Sequence, residues 1–234
     1  MSGNKPALTI VMPVLDEAAE IEAALMALAP LRRRGVEVIV ADGGSKDRTV
    51  AIASALADQV IAAPRGRAVQ MNAGAAAARG NVLLFLHADT RLPEDADRPV
   101  LDGLARSGRV WGRFDICIEG SGIFHLISFF MNARSRLTGI ATGDQAKFMT
   151  RAAFDAAGGF PAIALMEDVA LSARLKRLSK PLCLRGRVTT SPRRWRKHGI
   201  VCTVLLMWSL RLRYFFGADP GALARAYGYA DTGR

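Results

Sequence analysis

Two apolar segments of this sequence end in residues that can bind a nucleotide or a metal ion. Asp42-Gly43 follows the run 38–41, and His87-Ala88-Asp89 follows the run 82–86. Glycine lets another molecule approach the backbone closely, and a phosphate-bound Mg²⁺ or Mn²⁺ needs only one or two protein carboxylates. These segments predict a nucleotide pocket with a divalent metal at Asp89 and His87. The alternatives are that Asp42 caps its own turn and that Asp89 is a solvated strand end.

Arg65 and Arg67 flank a glycine at the predicted start of a helix, between those two segments. Helix N-termini and arginine side chains both favour phosphate groups. We therefore expect the two arginines close to a diphosphate. A solvated basic loop is the alternative.

A second acidic group lies further along the chain. Glu167-Asp168 begins a predicted helix after the constrained turn 158–161, and Asp144-Gln145 precedes a predicted strand. A carboxylate on a rigid element can act as a general base, although acids at a helix start also stabilise the helix dipole. The side chains of Asp144 and Gln145 could bind an acceptor or merely satisfy backbone groups.

The elements that must position these residues alternate between apolar strands and helices over the first 90 residues. This rhythm predicts a mainly parallel sheet with helices on both faces. Open α/β sheets bind ligands at the carboxyl ends of their strands, where Asp42 and Asp89 would lie. The predicted strands are 8–14, 36–41, 59–62, 82–86, 109–119, 144–150 and 181–190, and the predicted helices are 16–31, 49–57, 69–79, 94–107, 123–137, 152–157, 168–178 and 200–216.

Composition indicates the charge of the binding partners and the compartment of the protein. The 234 residues carry 32 Lys+Arg against 21 Asp+Glu, a net charge of +11, which favours anionic partners. The three cysteines are far apart and form no zinc or disulfide spacing, which fits a reducing cytoplasm. The apolar N-terminal run is followed at once by Asp16-Glu17, so we interpret it as a core strand and not a secretory signal.

The last predicted helix is nearly all apolar over 200–210, too short for a bilayer core of ~30 Å. It is either a core helix packed on the sheet or an interfacial helix lying on anionic lipid, and we favour the second. Its predicted face comprises Val201, Val204, Leu205, Trp208, Leu212 and Phe215, with a possible second apolar patch at 123–131. The basic residues around it are Arg193, Arg194, Arg196, Lys197, His198, Arg211 and Arg213.

Several of these motifs together resemble the family-2 glycosyltransferases over about residues 7 to 216. The short bacterial branch labelled for arsenosugar biosynthesis or radical-SAM/selenodomain association is the most similar. The matching motifs are Pro13-Val14-Leu15-Asp16-Glu17, Asp42-Gly43-Gly44-Ser45-Lys46-Asp47-Arg48-Thr49, Leu86-His87-Ala88-Asp89-Thr90, Thr138-Gly139-Ile140-Ala141-Thr142-Gly143-Asp144-Gln145, Gly158-Gly159-Phe160 and Met166-Glu167-Asp168.

The resemblance implies a GT-A (nucleotide-diphospho-sugar transferase) fold, with a mainly parallel, Rossmann-like sheet flanked by helices, and an Mn²⁺ or Mg²⁺ cofactor. It makes Asp168 the base, beside Glu167, and it makes Asp89 the last acid of the Asp-x-Asp motif. His87 stands where the family usually has the first acid, which lowers the negative charge of the metal site. The donor-binding residues it implies are Pro13, Leu15, Glu17, Asp42, Gly43, Arg65, Arg67, His87, Ala88 and Asp89.

The prediction is one inverting, metal-dependent glycosyltransferase domain that moves a sugar from a nucleotide-diphosphate sugar to a hydroxyl acceptor. We expect a nucleotide-binding half at 7–92, an acceptor half with Asp144 and Gln145 at 93–192, and a basic, apolar tail at 193–234. Ser191 replaces the Gln of the Gln-x-x-Arg-Trp motif of processive relatives, so we expect a non-processive enzyme. It would be cytoplasmic, peripheral to an anionic membrane, with no nucleic acid bound. The alternatives are a nucleotidyltransferase and a non-catalytic basic module that binds membrane or nucleic acid.

Overall fold

An eight-stranded mixed sheet forms the centre of the computed structural model, which describes residues 5–120, 122–193, 195 and 199–229. The order of the strands across the sheet is β3-β2-β1-β4-β7-β6-β8-β5. The predictions for Arg194 and for 196–198 fall outside the described residues. The strands are β1 Leu8–Val14, β2 Glu37–Asp42, β3 Gln59–Ala62, β4 Val82–Phe85, β5 Thr90–Arg91, β6 Trp111–Ile118, β7 Phe148–Thr150 and β8 Leu182–Thr190.

The first half of the sheet is parallel, as the alternating pattern predicted. Strand β1 pairs in parallel with β2 and with β4, and β2 pairs in parallel with β3. Strand β7 then runs antiparallel to both β4 and β6, whereas β6 and β8 are parallel. The predicted Rossmann-like arrangement therefore describes the first four strands, and antiparallel pairing adds the rest.

Helices cover both faces of the sheet because its central strands are apolar on both sides. Successive residues of β1 point to opposite faces, so Ile10 belongs to one core cluster and Val11 to the other. Helix α4 packs closely on β1, where a Cβ on Gly74 would clash with Val11. The helices are α1 Ile21–Ala27, α2 Ala29–Arg33, α3 Thr49–Leu56, α4 Arg67–Ala77, α5 Asp97–Ser107, α6 Gly122–Thr138, α7 Arg151–Ala156, α8 Glu167–Leu175, α9 Ile200–Phe215 and α10 Pro220–Tyr227.

The predicted single helix 16–31 is wrong, because its first turn is a loop held by distant side chains. Asp16 has a positive φ of 53°. The backbone N–H of Asp16 donates to Ser45 Oγ at 2.9 Å, and that of Glu17 donates to Thr49 Oγ1 at 2.8 Å. The helical part then divides into α1 and α2, with a proline in the first turn of α2.

Further elements differ from the predictions, among them β5 at Thr90–Arg91, which was not predicted. The predicted strand 144–150 is reduced to Phe148–Thr150, and a 3₁₀ turn occupies Gly143–Gln145. Helix α10 was not predicted. It packs on α9 through a small third core cluster that contains Leu165, Met166, Leu210, Leu223 and Ala224.

Candidate functional site

A cleft of about 2220 Å³ lies beyond the carboxyl ends of β1 and β4. Its walls come from the loop after β1, the start of α4, the loop after β4, the 3₁₀ turn and the start of α8, together with α6, α9 and α10. The cleft brings together most of the residues predicted from sequence. Those that line it are Pro13, Leu15, Glu17, Arg65, Arg67, His87, Ala88, Asp89, Asp144 and Glu167.

Asp42, Gly43, Gln145 and Asp168 are not among the residues that line this cleft. The buried carboxylate of Asp42 accepts hydrogen bonds from the N–H of Gly44 at 2.9 Å and of Ser45 at 3.1 Å, so it caps its own turn. A direct donor contact of Asp42 or Gly43 stays a prediction, and in this conformation the Asp42 oxygens are used within the turn.

Gln70 is a cleft residue that the sequence analysis missed. Its Nε2 donates to the carbonyl of Val14 at 2.7 Å and to that of Ala41 at 2.9 Å, which ties the ends of β1 and β2 to α4. A Cβ on Gly43 would lie 3.0 Å from the same amide. A glutamine on the buried face of a helix was the available signal, because a buried amide needs partners.

His87 and Asp89 both reach the cleft from the loop after β4. Burial, with a smaller contribution from the Arg67 charge, lowers the pKa of His87 to about 4, so its imidazole is neutral and can donate a lone pair to a metal. The ring packs on Gly143, where a Cβ would lie 2.5 Å from Nε2. Glycine at this position therefore makes room for the histidine.

Asp144 adds a second carboxylate near Asp89. Burial, and next the Asp89 charge, raise the pKa of Asp144 to about 6. A cation between the two side chains would relieve this repulsion, so the residues present fit a divalent metal that takes its other ligands from phosphate and water. In the part of the chain that the structure describes, no group of three or more His, Cys, Asp or Glu is arranged to hold a metal alone.

Glu167 is buried and forms an ion pair with Arg67, with 3.3 Å between Oε1 and Nη1. Burial raises the pKa of Glu167, and the Arg67 charge opposes this shift. Arg67 also donates to the hydroxyl of Tyr229, whose ring centroid lies 5.8 Å from the guanidinium carbon. One of the two arginines predicted to face a diphosphate is thus already held by an acid and a phenol.

Asp168 is half-buried beside a small side cavity that it shares with His87, Gly143, Lys147 and Glu167. Its carboxylate accepts hydrogen bonds from the N–H of Gly143 at 2.8 Å and of its own neighbour Val169 at 2.7 Å. Burial alone would raise the pKa of Asp168, but the Lys147 charge and these N–H groups outweigh it and lower that pKa. The carboxylate is therefore ionised at neutral pH.

Lys147 is a second residue that the sequence analysis missed. Its side chain is fully buried, and Nζ donates to the carbonyl of Asp168 at 2.6 Å and lies 3.4 Å from Ser172 Oγ. Burial lowers the pKa of Lys147 to about 8. A lysine inside the apolar run 146–149 was the signal, because a lysine is almost never fully buried unless it is paired.

Gln145 is fully buried, and its Oε1 accepts a hydrogen bond from the N–H of Thr142 at 3.2 Å. It belongs to a capping box of the 3₁₀ turn with Thr142. Of the two alternatives predicted for Gln145, the structure shows the hydrogen bond to the backbone. The neighbouring Asp144 faces the cleft. An acceptor contact of Gln145 stays a prediction.

Helix α9 exposes most of the apolar face that was predicted for it, including Trp208, which is 70% exposed. Its buried residues are Thr203 and Leu210. Helix α6 likewise exposes Leu126, Phe129 and Phe130. The described helices include none that is both long and apolar enough to span a bilayer.

One family model matches this chain, and several solved structures share its fold. Residues 9–163, more than half of the chain, match the family model described as Glycosyl transferase family 2. The mannosyltransferase PcManGT from Pyrobaculum calidifontis, solved with GDP-Man and Mn²⁺, is 19% identical, with a TM-score of 0.65 over 97% of this chain and 70% of that chain. No curated protein matches this sequence significantly.

Two further solved structures extend the comparison. TarS 1–349 of S. aureus, in complex with UDP-GlcNAc, is 16% identical, with a TM-score of 0.64 over 79% of this chain and 58% of that chain. Glucosyl-3-phosphoglycerate synthase from Mycobacterium tuberculosis, with Mn²⁺, UDP and glucosyl-3-phosphoglycerate, is 21% identical, with a TM-score of 0.55 over 79% of this chain and 71% of that chain. The chain thus spans less than two thirds of the TarS fragment. The arsenosugar or radical-SAM association stays a prediction.

Proposed function

Because the chain belongs to glycosyltransferase family 2, we propose that it transfers a sugar from a nucleotide-diphosphate sugar to an acceptor hydroxyl. One observation carries this proposal: the cleft beyond β1 and β4 brings together Arg65 and Arg67, the His87–Asp89 pair, and the carboxylates of Asp144 and Glu167. Similar structures hold UDP-GlcNAc, GDP-Man and UDP. The acceptor is a small molecule or lipid-like.

The donor would occupy the part of the cleft nearest to β1 and α4. Pro13, Leu15 and Glu17 would form the nucleoside wall, and Arg65 and Arg67 would face the diphosphate. Asp89 and His87 would hold Mn²⁺ or Mg²⁺, which when bound neutralises charge on the leaving diphosphate. Uridine is the preferred base, on the family resemblance alone.

The proposed base is Asp168, with Glu167 beside it. The acceptor oxygen attacks the anomeric carbon, the bond from that carbon to the diphosphate oxygen breaks, the proton goes to Asp168 and a nucleoside diphosphate leaves. Direct displacement inverts the anomeric configuration, so product NMR that shows retention would contradict it. Asp144 is the alternative base, because it lines the cleft and its pKa is raised to about 6.

Peripheral membrane contact of a non-processive enzyme on the inner face of the plasma membrane is part of the proposal. The exposed apolar side chains of α6 and α9 support it, as does the net charge of +11, which complements anionic lipid. Liposome flotation at low salt tests it. Failure to bind vesicles that contain phosphatidylserine would contradict membrane contact and leave the transferase proposal standing.

A thermal-shift screen of UDP- and GDP-sugars, with and without Mn²⁺, tests the donor site. A ligand at 100 times its Kd adds about 2.7 kcal/mol of stability, which for this size raises Tm by about 5–10 °C. We expect Asp89→Asn to abolish the metal-dependent part of this shift. The matched control is Asp102→Asn, an exposed acid on α5 whose replacement should leave the shift unchanged.

Product analysis separates the enzyme classes. A glycosyltransferase releases a nucleoside diphosphate, whereas a nucleotidyltransferase releases pyrophosphate. Detection of pyrophosphate would refute the proposed function. Absence of both donor binding and turnover would favour the non-catalytic basic module.

A further inference from the structure

Besides Arg65, which is assigned to the donor, Arg134 and Arg211 line the cleft without an ion pair to any described carboxylate. Arg134 lies on α6 and Arg211 on α9, so they come from separate parts of the chain. Arg134 Nη1 donates a long hydrogen bond of 3.4 Å to the carbonyl of Ile140. Its Nε and Nη2 are buried and lack any partner in the described structure. Buried donors without acceptors are costly, so this arrangement calls for an acceptor that the chain does not supply.

The positive charges of Arg134 and Arg211 act against each other. Burial, and next the Arg211 charge, lower the pKa of Arg134 to about 10, and the Arg113 charge acts in the same direction. Arg113 has its own partner in Asp115, whereas Arg134 and Arg211 both line the cleft and neither forms an ion pair with any described residue. An anion between the two guanidinium groups would remove this repulsion and satisfy the buried donors.

This cationic pair is separate from the arginines assigned to the donor. Arg67 lies at the start of α4 and is paired with Glu167, whereas Arg134 and Arg211 belong to helices after residue 121. The pair still lies close to the acidic residues, since the Arg211 charge acts on Asp144 and the Asp168 charge acts on Arg134. An anionic group held there would be within reach of the proposed chemistry.

Helices α6 and α9 also carry exposed apolar side chains that line the same cleft. Phe129 and Leu137 of α6 and Trp208 of α9 are all more than half exposed, and Leu137 is 87% exposed. A ligand with an anionic head and an apolar chain matches this combination, because the head would meet the arginines and the chain would cover the exposed rings.

We propose that Arg134 and Arg211 bind the phosphate group of an amphiphilic acceptor whose apolar chain lies along α6 and α9. The role of this ligand as an acceptor rests on the proposed function. Its binding to the two arginines does not require sugar transfer. Phosphate fits the site better than a carboxylate, since it offers three oxygens to two guanidinium groups that approach from different helices.

Isothermal titration calorimetry without donor or metal tests the proposal. The probes are citronellyl phosphate below its micellar concentration, citronellol, glycerol 3-phosphate and inorganic phosphate. We expect saturable binding of citronellyl phosphate, and binding at least about tenfold weaker for the other three probes. Arg134→Gln and Arg211→Gln should each weaken citronellyl phosphate binding about tenfold or more.

Two controls keep the test independent of folding. Arg213→Gln removes an exposed arginine of the same helix that does not line the cleft, and should leave binding unchanged. Arg134→Lys keeps the charge, and should bind with intermediate affinity. Each variant is used only if its melting temperature matches that of the parent protein.

Three outcomes would overturn the proposal. Equal binding of citronellol and citronellyl phosphate would show that the phosphate group is not recognised. Unchanged affinity in both glutamine variants would show that the two arginines do not bind the ligand. Equal binding of glycerol 3-phosphate would exclude the apolar chain and point to a soluble phosphorylated ligand. Failure of the donor screen would contradict the proposed function and leave this result intact, so the two failures are distinguishable.

Discussion

The substitution Asp168→Asn should cost stability as well as activity, because Asp168 supplies the principal negative charge that acts on buried Lys147. Lys147 is 2% exposed. Breaking a direct buried ion pair costs about 3–5 kcal/mol, which is an upper limit here because Lys147 Nζ bonds the Asp168 carbonyl and only the charge of the carboxylate acts on it. We expect the lower end, because Asp168 is half-buried, Glu167 also acts on Lys147, and asparagine still accepts a hydrogen bond from Gly143. For this chain length, about 3 kcal/mol lowers Tm by about 6–12 °C.

A double substitution separates the role of Asp168 in stability from its proposed role in catalysis. The charge of Lys147 is what Asp168→Asn leaves unbalanced, so adding Lys147→Met, which removes that buried charge, should recover most of the lost Tm. The missing base should still lower the transfer rate by about 10²–10⁴-fold. Lys147→Met alone removes the hydrogen bonds to the Asp168 carbonyl and to Ser172, each worth about 1 kcal/mol.

The assay pairs thermal melts with the rate of nucleoside diphosphate release, using the donor found in the screen. The informative comparison is the double variant against Asp168→Asn. Recovery of both stability and rate in the double variant would refute Asp168 as the base, since its role would then be to balance Lys147. Asp144→Asn, assayed in parallel, would identify the alternative base.

Two further predictions concern stability. Burial opposes ionisation of Glu37, but hydrogen bonds from Thr9 and Arg79 outweigh it and lower its pKa. The stability that ionised Glu37 contributes to the fold is therefore fully present above the unfolded pKa of about 4.5. It is lost as the pH falls through the folded pKa. Urea midpoints from pH 7 to 3 should show this loss and Glu37→Gln should flatten it, whereas an equal slope in both proteins would contradict the assignment. Gly112→Ala should cost about 1–3 kcal/mol, because its Cβ would clash with the backbone carbonyl of Leu182 and lie 2.5 Å from Phe148 Cζ. Gly122→Ala, with open space around it, is the control in the same melts.

The strands of the parallel half could be predicted within a residue or two, because each is a short apolar run bounded by polar or turn residues. The loop 16–20 could not be predicted, since the bonds that hold it join residues 29 to 32 positions apart. Hydrophobic periodicity reports only local order. The side chains of Ser45 and Thr49, which are far from this loop in sequence, hold it in place.

Only part of the site could be predicted, again because sequence patterns report local order. Residue type and strand ends were enough to suggest His87 and Asp89, both of which reach the cleft. Sequence alone could not decide which of Asp144 and Gln145 faces the cleft, because both follow Gly143 in an irregular turn. Helix α10 carried a readable signal that was missed: Asp219 caps it by accepting from Ala222 N–H at 2.8 Å, and a proline follows directly.

The contact between Arg67 and Tyr229 has a consequence for how donor affinity would be measured. Tyr229 follows α10 and is tethered to the same chain, so its hydroxyl is present at Arg67 at a high effective concentration. If Arg67 takes the diphosphate as proposed, the nucleotide has to displace this internal ligand. The apparent Kd then equals the intrinsic Kd divided by the fraction of molecules in which Arg67 is released. Any change that loosens the last helix would tighten donor binding without touching the donor.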